Sequence, residues 1–318
     1  MKRSWAISLV TFSAVASLFA PMATYLGTLS LFGVAHVFIE LRYLDAQYFS
    51  TLKQQCDASF VFWLVNLLLV IAALRCVVLL GWLPNSIGFG LELGCSLGLV
   101  LLASRVLWQQ LKACCSPERR VRLGVALAIA TLLVLGIMQS PIKTLVLLAI
   151  LHNLTPLGFL YHHPHQQRFP WLGCLFIFGL LPLLVFYGRW LGAGWYALPS
   201  MAAYVATFVP PSIQHSQFAA PLFAAATFCQ CMHYLVVIGL FSAWTPSKPE
   251  GLIPWMRPPV FYLAVLLIAT LFFFAFQTSF LTTRAFYSVL ASLHAWVEIP
   301  LLLVLLTPKH LKEQFAKQ

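Results

Sequence analysis

Runs of roughly 20 apolar residues recur along the whole sequence, each the length of one helical bilayer crossing. A membrane β-barrel would alternate apolar and polar residues with period 2, and that alternation is absent from these runs. Backbone polar groups in hydrocarbon must be satisfied within the spanning segment, so the runs specify helices. Composition agrees, with 61% hydrophobic and 8% charged residues, where a soluble domain carries about 25% charge. The expected fold class is all-α: a polytopic integral membrane bundle forming a single domain over residues 1–318.

Ten helices are predicted, at 5–20, 23–44, 59–81, 88–110, 121–139, 141–163, 170–189, 218–244, 258–276 and 283–306. The first begins with Lys2 and Arg3 like a secretory signal, but another long apolar run follows at once, so it reads as a retained span. It can form one kinked unit with the second around Pro21. Residues 192–210 are weakly apolar and broken by Gly and Pro, and read as a re-entrant or surface segment.

The net charge of +11 sits mostly in short connections such as "KACCSPERRVR", which marks cytoplasmic loops rather than a nucleic-acid surface. Lys53, Lys112, Arg119, Arg120, Arg168, Lys248, Arg257 and the basic tail fall on one side of a ten-crossing topology, together with Lys2 and Arg3. Both termini are therefore expected in the cytoplasm. The eight cysteines are scattered. Cys114–Cys115 lies in a basic loop, and no spacing makes a zinc site or a disulfide framework.

The segment "LFGVAHVFIELRYLD" (31–45) places His36, Glu40, Arg42 and Asp45 at the end of an apolar run. Of the nine histidines, His36, His152, His233 and His294 fall within spans. They lie about 13, 11, 15 and 11 residues from the outer ends of their helices, which at about 1.5 Å per residue puts them within about one turn of each other in depth. "HVFIE" and "HAWVE" put Glu40 and Glu298 four residues after His36 and His294, on the same helix faces. A carboxylate at mid-bilayer costs at least about 2.5 kcal/mol, which metal binding, proton carriage or a charge partner can offset.

Neutral imidazoles with carboxylates at one level suit a transition metal, with iron favoured and one or two ions accommodated. Glu40 and Glu298 are candidate catalytic groups, as ligands or as acceptors that orient the imidazoles. Asn153, Gln230 and Tyr234 are expected to line the cavity. Pro156 removes the hydrogen bond to the carbonyl of His152 and should kink that helix at the site. A proton relay, an ion pathway and interhelical polar bonding stay open as readings of the same residues. Glu92 lies near a helix end, and Arg75 and Arg105 are expected to snorkel. "YHHPHQQR" (161–168) reads as a polar turn. No phosphate-cradling Gly-rich loop, nucleophile elbow or haem-attachment motif occurs in the sequence.

The helix plan, the histidines spread over several spans and the segment "FGVAHVFIE" (32–40) resemble the Brp/Blh membrane carotenoid oxygenases. Their early segment runs Gly/Pro–His–Gly–x–x–Asp. Here Ala35 precedes the histidine, Val37 follows it and Glu40 stands in the acidic place, so His36 is the residue that carries over. The resemblance implies histidine-bound iron and oxidative cleavage of β-carotene.

The expected function is thus a membrane-embedded non-haem metal oxygenase. Its substrate would be a lipophilic molecule drawn from the bilayer, with O2 as co-substrate and lipids as surroundings. The aromatic run "LIATLFFFAFQ" suits such a substrate. The alternatives are a histidine-based ion- or metal-coupled transporter and a non-catalytic pigment-binding or assembly protein.

Overall fold

The computed structural model describes residues 3–49, 58–113, 116–162, 171–192, 202–247 and 251–305. The described residues form helices and connecting turns, with no strand among them. In chain order they are α1 (Arg3–Phe19), α2 (Pro21–Leu44), α3 (Ala58–Leu79), α4 (Asn85–Ala113), α5 (Pro117–Gln139), α6 (Pro141–His152), α7 (Thr155–His162), α8 (Leu172–Leu191), α9 (Ala202–Val205), α10 (Ala219–Trp244), α11 (Pro258–Thr278) and α12 (Phe280–Leu305). Nine helices among the described residues, two of them joined segments, are long and apolar enough to cross a membrane.

The exception among the ten predicted spans is α1. Its 17 residues rise about 25 Å, short of the roughly 30 Å of a hydrocarbon core. The expected break at Pro21 is present: Ala20 leaves helical geometry and Pro21 opens α2, where its missing N–H is no loss. Three π-helical turns interrupt the regular geometry, after α2 at Asp45–Phe49 and inside α8 and α10 at Phe176–Leu180 and Val237–Phe241.

The chain folds into two compact units, each made of two stretches of sequence. The first comprises Met1–Ala46 and Ile142–Ala291. Here α2 packs against α10 and α11, and α10 also packs against α1 and α8. Ala219, Ala224 and Ala226 of α10 are buried, and such small residues let helix backbones approach closely where lipid supplies no hydrophobic drive. The second unit comprises Gln47–Pro141 and Ser292–Gln318, with α4 packed against α3 and α5. The α3–α4 turn needs left-handed backbone, supplied by Gly81 at φ 75°.

Within the second unit Glu92 is 1% exposed and ion-paired to Arg75 at 2.6 Å. It also accepts a hydrogen bond from Trp296 Nε1 at 2.9 Å. The expectation that Arg75 snorkels is thereby corrected. Arg75 and Glu92 lie on neighbouring helices joined by a tight turn, and pairing removes two desolvation costs that snorkelling would remove only for the arginine.

In the first unit Asp45 has a structural role. Its carboxylate accepts from the backbone N–H groups of Leu252 and Ile253 at 2.7 and 3.1 Å and from Trp255 Nε1 at 2.8 Å. A Cβ at Gly251 would run into that carboxylate. Arg42, 2% exposed, stacks on Phe261 with its guanidinium carbon 4.4 Å from the ring centroid.

Several sequence expectations fall outside the described residues: Lys53, Cys114–Cys115, His163, His165, Arg168, Lys248, both termini, and residues 193–201 of the 192–210 segment. The rest of that segment contains only the single turn α9 and a connection to Pro210.

Removing one partner of a buried ion pair costs about 3–5 kcal/mol, while an apolar replacement of both is close to neutral. Arg75→Leu is expected to lower the thermal midpoint in detergent markedly, and Arg75→Leu with Glu92→Leu to recover most of the loss. Equal destabilisation in single and double variants would contradict the pairing. Asp45→Ala is expected to expose the 251–255 connection to proteolysis, measured as the cleavage rate beside wild type.

Candidate metal centre

Helix α2 carries His36 and Glu40 inward, 1% and 0% exposed. Helix α10 presents His233, 0% exposed, from the other side. The three donor groups meet: a ring nitrogen of His36, one of His233 and a carboxylate oxygen of Glu40 lie within 4.8 Å of one another. The His36 and His233 rings stand 5.3 Å apart, centroid to centroid, and nearly perpendicular at 88°. His152, half-buried at the end of α6, has its ring 4.7 Å from that of His233. These four side chains belong to the first unit.

The local structure explains each placement. His36 Nδ1 donates to the carbonyl of Phe32, one turn earlier on α2, at 3.3 Å. A carbonyl only accepts, so Nδ1 carries the hydrogen and Nε2 the lone pair in the neutral ring. A second contact of this kind is what orients a metal-ligating imidazole. His152 sits where its helix breaks. The carbonyl freed by Pro156 accepts instead from Thr155 Oγ1 at 2.6 Å, so the kink expected there is observed as a two-residue interruption between α6 and α7.

Glu40 is bonded across helices. Its Oε2 lies 3.1 Å from His233 Nε2. The four-residue spacing does put His36 and Glu40 on one face. His36 bonds back into its own helix, however, and the carboxylate reaches α10. The 3.1 Å separation suits a hydrogen bond with Nε2 donating. It equally suits two ligands on one ion: donors about 2.1 Å from a metal lie about 3.0 Å apart at 90° and about 3.4 Å apart at the tetrahedral angle. Two imidazoles and a carboxylate are the donor set of non-haem iron sites and also accept zinc. The buried His/Glu group could hold a metal ion.

The polar residues expected around it divide. Tyr234 stacks on His36, with ring centroids 4.1 Å apart and planes inclined at 32°. Gln230, one turn before His233, donates weakly to Thr28 Oγ1 of α2 at 3.4 Å. Asn153 turns back onto its own helix and donates to the Ala149 carbonyl at 2.8 Å. That bond supports the break beside His152, and the side chain is 4% exposed.

His294 and Glu298 belong to the second unit by position, on the later half of α12, and are 2% and 0% exposed. Donor atoms of this pair lie within 4.8 Å of each other, as the four-residue spacing requires. Sequence reasoning passed over Tyr287, whose ring lies 6.5 Å from that of His36. The signal was there: Tyr287, His294 and Glu298 are seven and four residues apart and share one face of a helix.

Glu40→Gln preserves shape and separates the two uses of the carboxylate. If Glu40 orients His233, metal affinity should fall by about 10–100-fold; loss of a direct ligand should be greater. Metal retained per protein after dialysis against graded chelator measures the difference, and wild-type retention would exclude Glu40 from the site. No family model, curated protein or solved structure matches the chain.

Proposed function

We propose that the protein is a membrane-embedded non-haem metal oxygenase, with iron as its metal, acting on a lipophilic substrate that enters from the bilayer. The observation that carries this reading is the convergence of His36, His233 and Glu40, each at most 1% exposed, with donor atoms within 4.8 Å. His152 adds a third imidazole beside His233. His294 and Glu298, on α12 in the second unit, are a separate candidate donor pair.

When bound, the metal supplies the O2-activating chemistry. The chain does the rest. Phe32 holds the His36 hydrogen on Nδ1 and leaves Nε2 as the donor. Glu40 offsets the charge of a cation that would otherwise be stranded in low dielectric. If His233 and Glu40 were both ligands, the hydrogen between them would be displaced, and metal binding would release a proton. Water is excluded by the apolar side chains packed around α2 and α10, among them Val34, Val37 and Phe223. An enclosure of that kind suits an apolar substrate, and a carotenoid is the class implied by the resemblance of "FGVAHVFIE".

We also assign the membrane orientation from the Lys and Arg in short connections, with both termini cytoplasmic, which requires the short α1 to cross as well, with local thinning of the bilayer. A reporter fused at Gln318 should respond as a cytoplasmic one.

Protein purified in mild detergent without chelators is expected to carry one or two iron ions per chain by elemental analysis. His36→Ala and His233→Ala should each lose most of that metal while keeping wild-type helicity. In a carotenoid-accumulating host, expression should consume O2 and yield carbonyl cleavage products, and His36→Ala should not. A wild-type protein that neither retains nor takes up a transition metal would defeat the oxygenase reading.

A further inference from the structure

Arg42 is 2% exposed, and its Nε and Nη2 are buried with no hydrogen-bond partner among the described residues. Those two nitrogens carry the parallel N–H groups of one edge of the guanidinium, the fork that fits a carboxylate or a phosphate. Buried donors of a charged group are rarely left unpaired, because their desolvation is then uncompensated. Asp45 stands three residues further on, at the spacing of a helical ion pair. Its oxygens instead accept from Leu252, Ile253 and Trp255. Phe261 and Tyr262, with ring centroids 4.4 and 5.9 Å from the guanidinium carbon, attract the cation but accept N–H groups only weakly. The charge is thus partly offset while the fork is not used.

The depth of Arg42 points to the kind of anion. It lies 21 residues beyond Pro21 on α2, a rise of about 32 Å, where a hydrocarbon core is roughly 30 Å thick. Since α2 belongs to a segment long and apolar enough to cross, the guanidinium falls at the level of the lipid headgroups. Trp255 and Tyr262 beside Phe261 agree with that level, because Trp and Tyr collect at the membrane–water interface. The oxyanions concentrated there are lipid phosphates.

The same rings provide the way in. Phe261 is 2% exposed, but Tyr262 is 38% exposed, so Tyr262 meets both Arg42 and the surroundings. Its hydroxyl donates to the Ser242 carbonyl at 3.3 Å, longer than the usual range of about 2.5–3.0 Å. Such a bond is given up at little cost.

We propose that Nε–H and Nη2–H of Arg42 form a binding site for the phosphate of a phospholipid headgroup, which enters past Tyr262. The site is independent of the metal-centre reading, and metal-stripped protein serves for its test.

The experiment uses the full-length protein, delipidated in mild detergent, with dioleoyl phosphatidate or dioleoylglycerol added. The two lipids differ only in the phosphate. Bound lipid is titrated by native mass spectrometry and the thermal midpoint is recorded alongside. Phosphatidate is expected to bind wild type and raise its midpoint more than dioleoylglycerol does. Arg42→Met, which keeps an apolar stem of similar length, should weaken phosphatidate binding by at least about tenfold. Arg42→Lys keeps a cation beside the rings but lacks the fork. It should weaken binding in the same direction by less, and it carries the test if Arg42→Met does not fold. Equal phosphatidate binding by wild type and every variant that folds would overturn the inference. So would equal effects of the two lipids on wild type, a comparison that stands whatever the variants do. Inorganic phosphate is the remaining arm: if it raises the wild-type midpoint as much as phosphatidate does, the lipid assignment is overturned.

Discussion

A carboxylate with no exposed surface in the middle of an apolar helix pair is the constraint around which the first unit is organised. Glu40 lies in a medium where an isolated charge is expensive, and a partner on a second helix relieves it only if that helix is held at hydrogen-bond distance. The 3.1 Å contact with His233 therefore sets where α2 and α10 meet. The sequence of α10 makes so close a meeting practicable. Two-thirds of its most apolar window, 67%, is buried, against 11% for α3, and its small residues leave room for the neighbouring backbones. A helix facing lipid on most sides could not have brought a histidine to this place.

The other buried charges are settled by different means, and the differences show which of them are available for chemistry. Asp45 is used up by two backbone N–H groups and an indole. Glu92 is used up by Arg75 and Trp296. Arg42 lies against aromatic faces. Glu40 alone among the described acidic residues of the first unit is bonded to a group that could itself ligate a metal. Of the four ionisable residues in "LFGVAHVFIELRYLD", two thus belong to the centre and two to the packing that surrounds it.

Much of this was legible in the sequence because it depends on local spacing. The lengths of the apolar runs locate nine of the long helices to within a few residues. Pro21 and Pro156 mark interruptions that occur where the missing N–H requires them. The matched depth of the histidines follows from residue counts, and His36, His152 and His233 do come together. What could not be read was the choice among partners far apart in the chain. Spacing put Glu40 on the face of His36, but 193 residues separate it from the histidine it bonds. Asn153 resembled a cavity group until its helix turned out to end beside it. Arg75 sat close enough to a helix end to suggest escape to the interface, and only the pairing of α3 with α4 reveals Glu92. The π-helical turns leave no mark in hydropathy, since they shift register without changing composition.

One of those turns bears on how this chain can change over generations. The wide turn at Val237–Phe241 begins four residues after His233. A π-helical turn is a helix holding one residue more than regular geometry accepts, and such turns occur often at functional sites. Loss of a single residue there would restore ordinary geometry without breaking the helix. It would leave His233 facing Glu40 and would also keep everything from Ser242 onward on its present face, because the wide turn already absorbs the roughly 100° that one residue contributes to a 3.6-residue turn. The contact of Phe241 with Tyr43, 4.2 Å between centroids, would survive if the residue lost came earlier in the turn. The segment is thus a point where the chain could lose one codon and leave both ends of α10 facing as they do now.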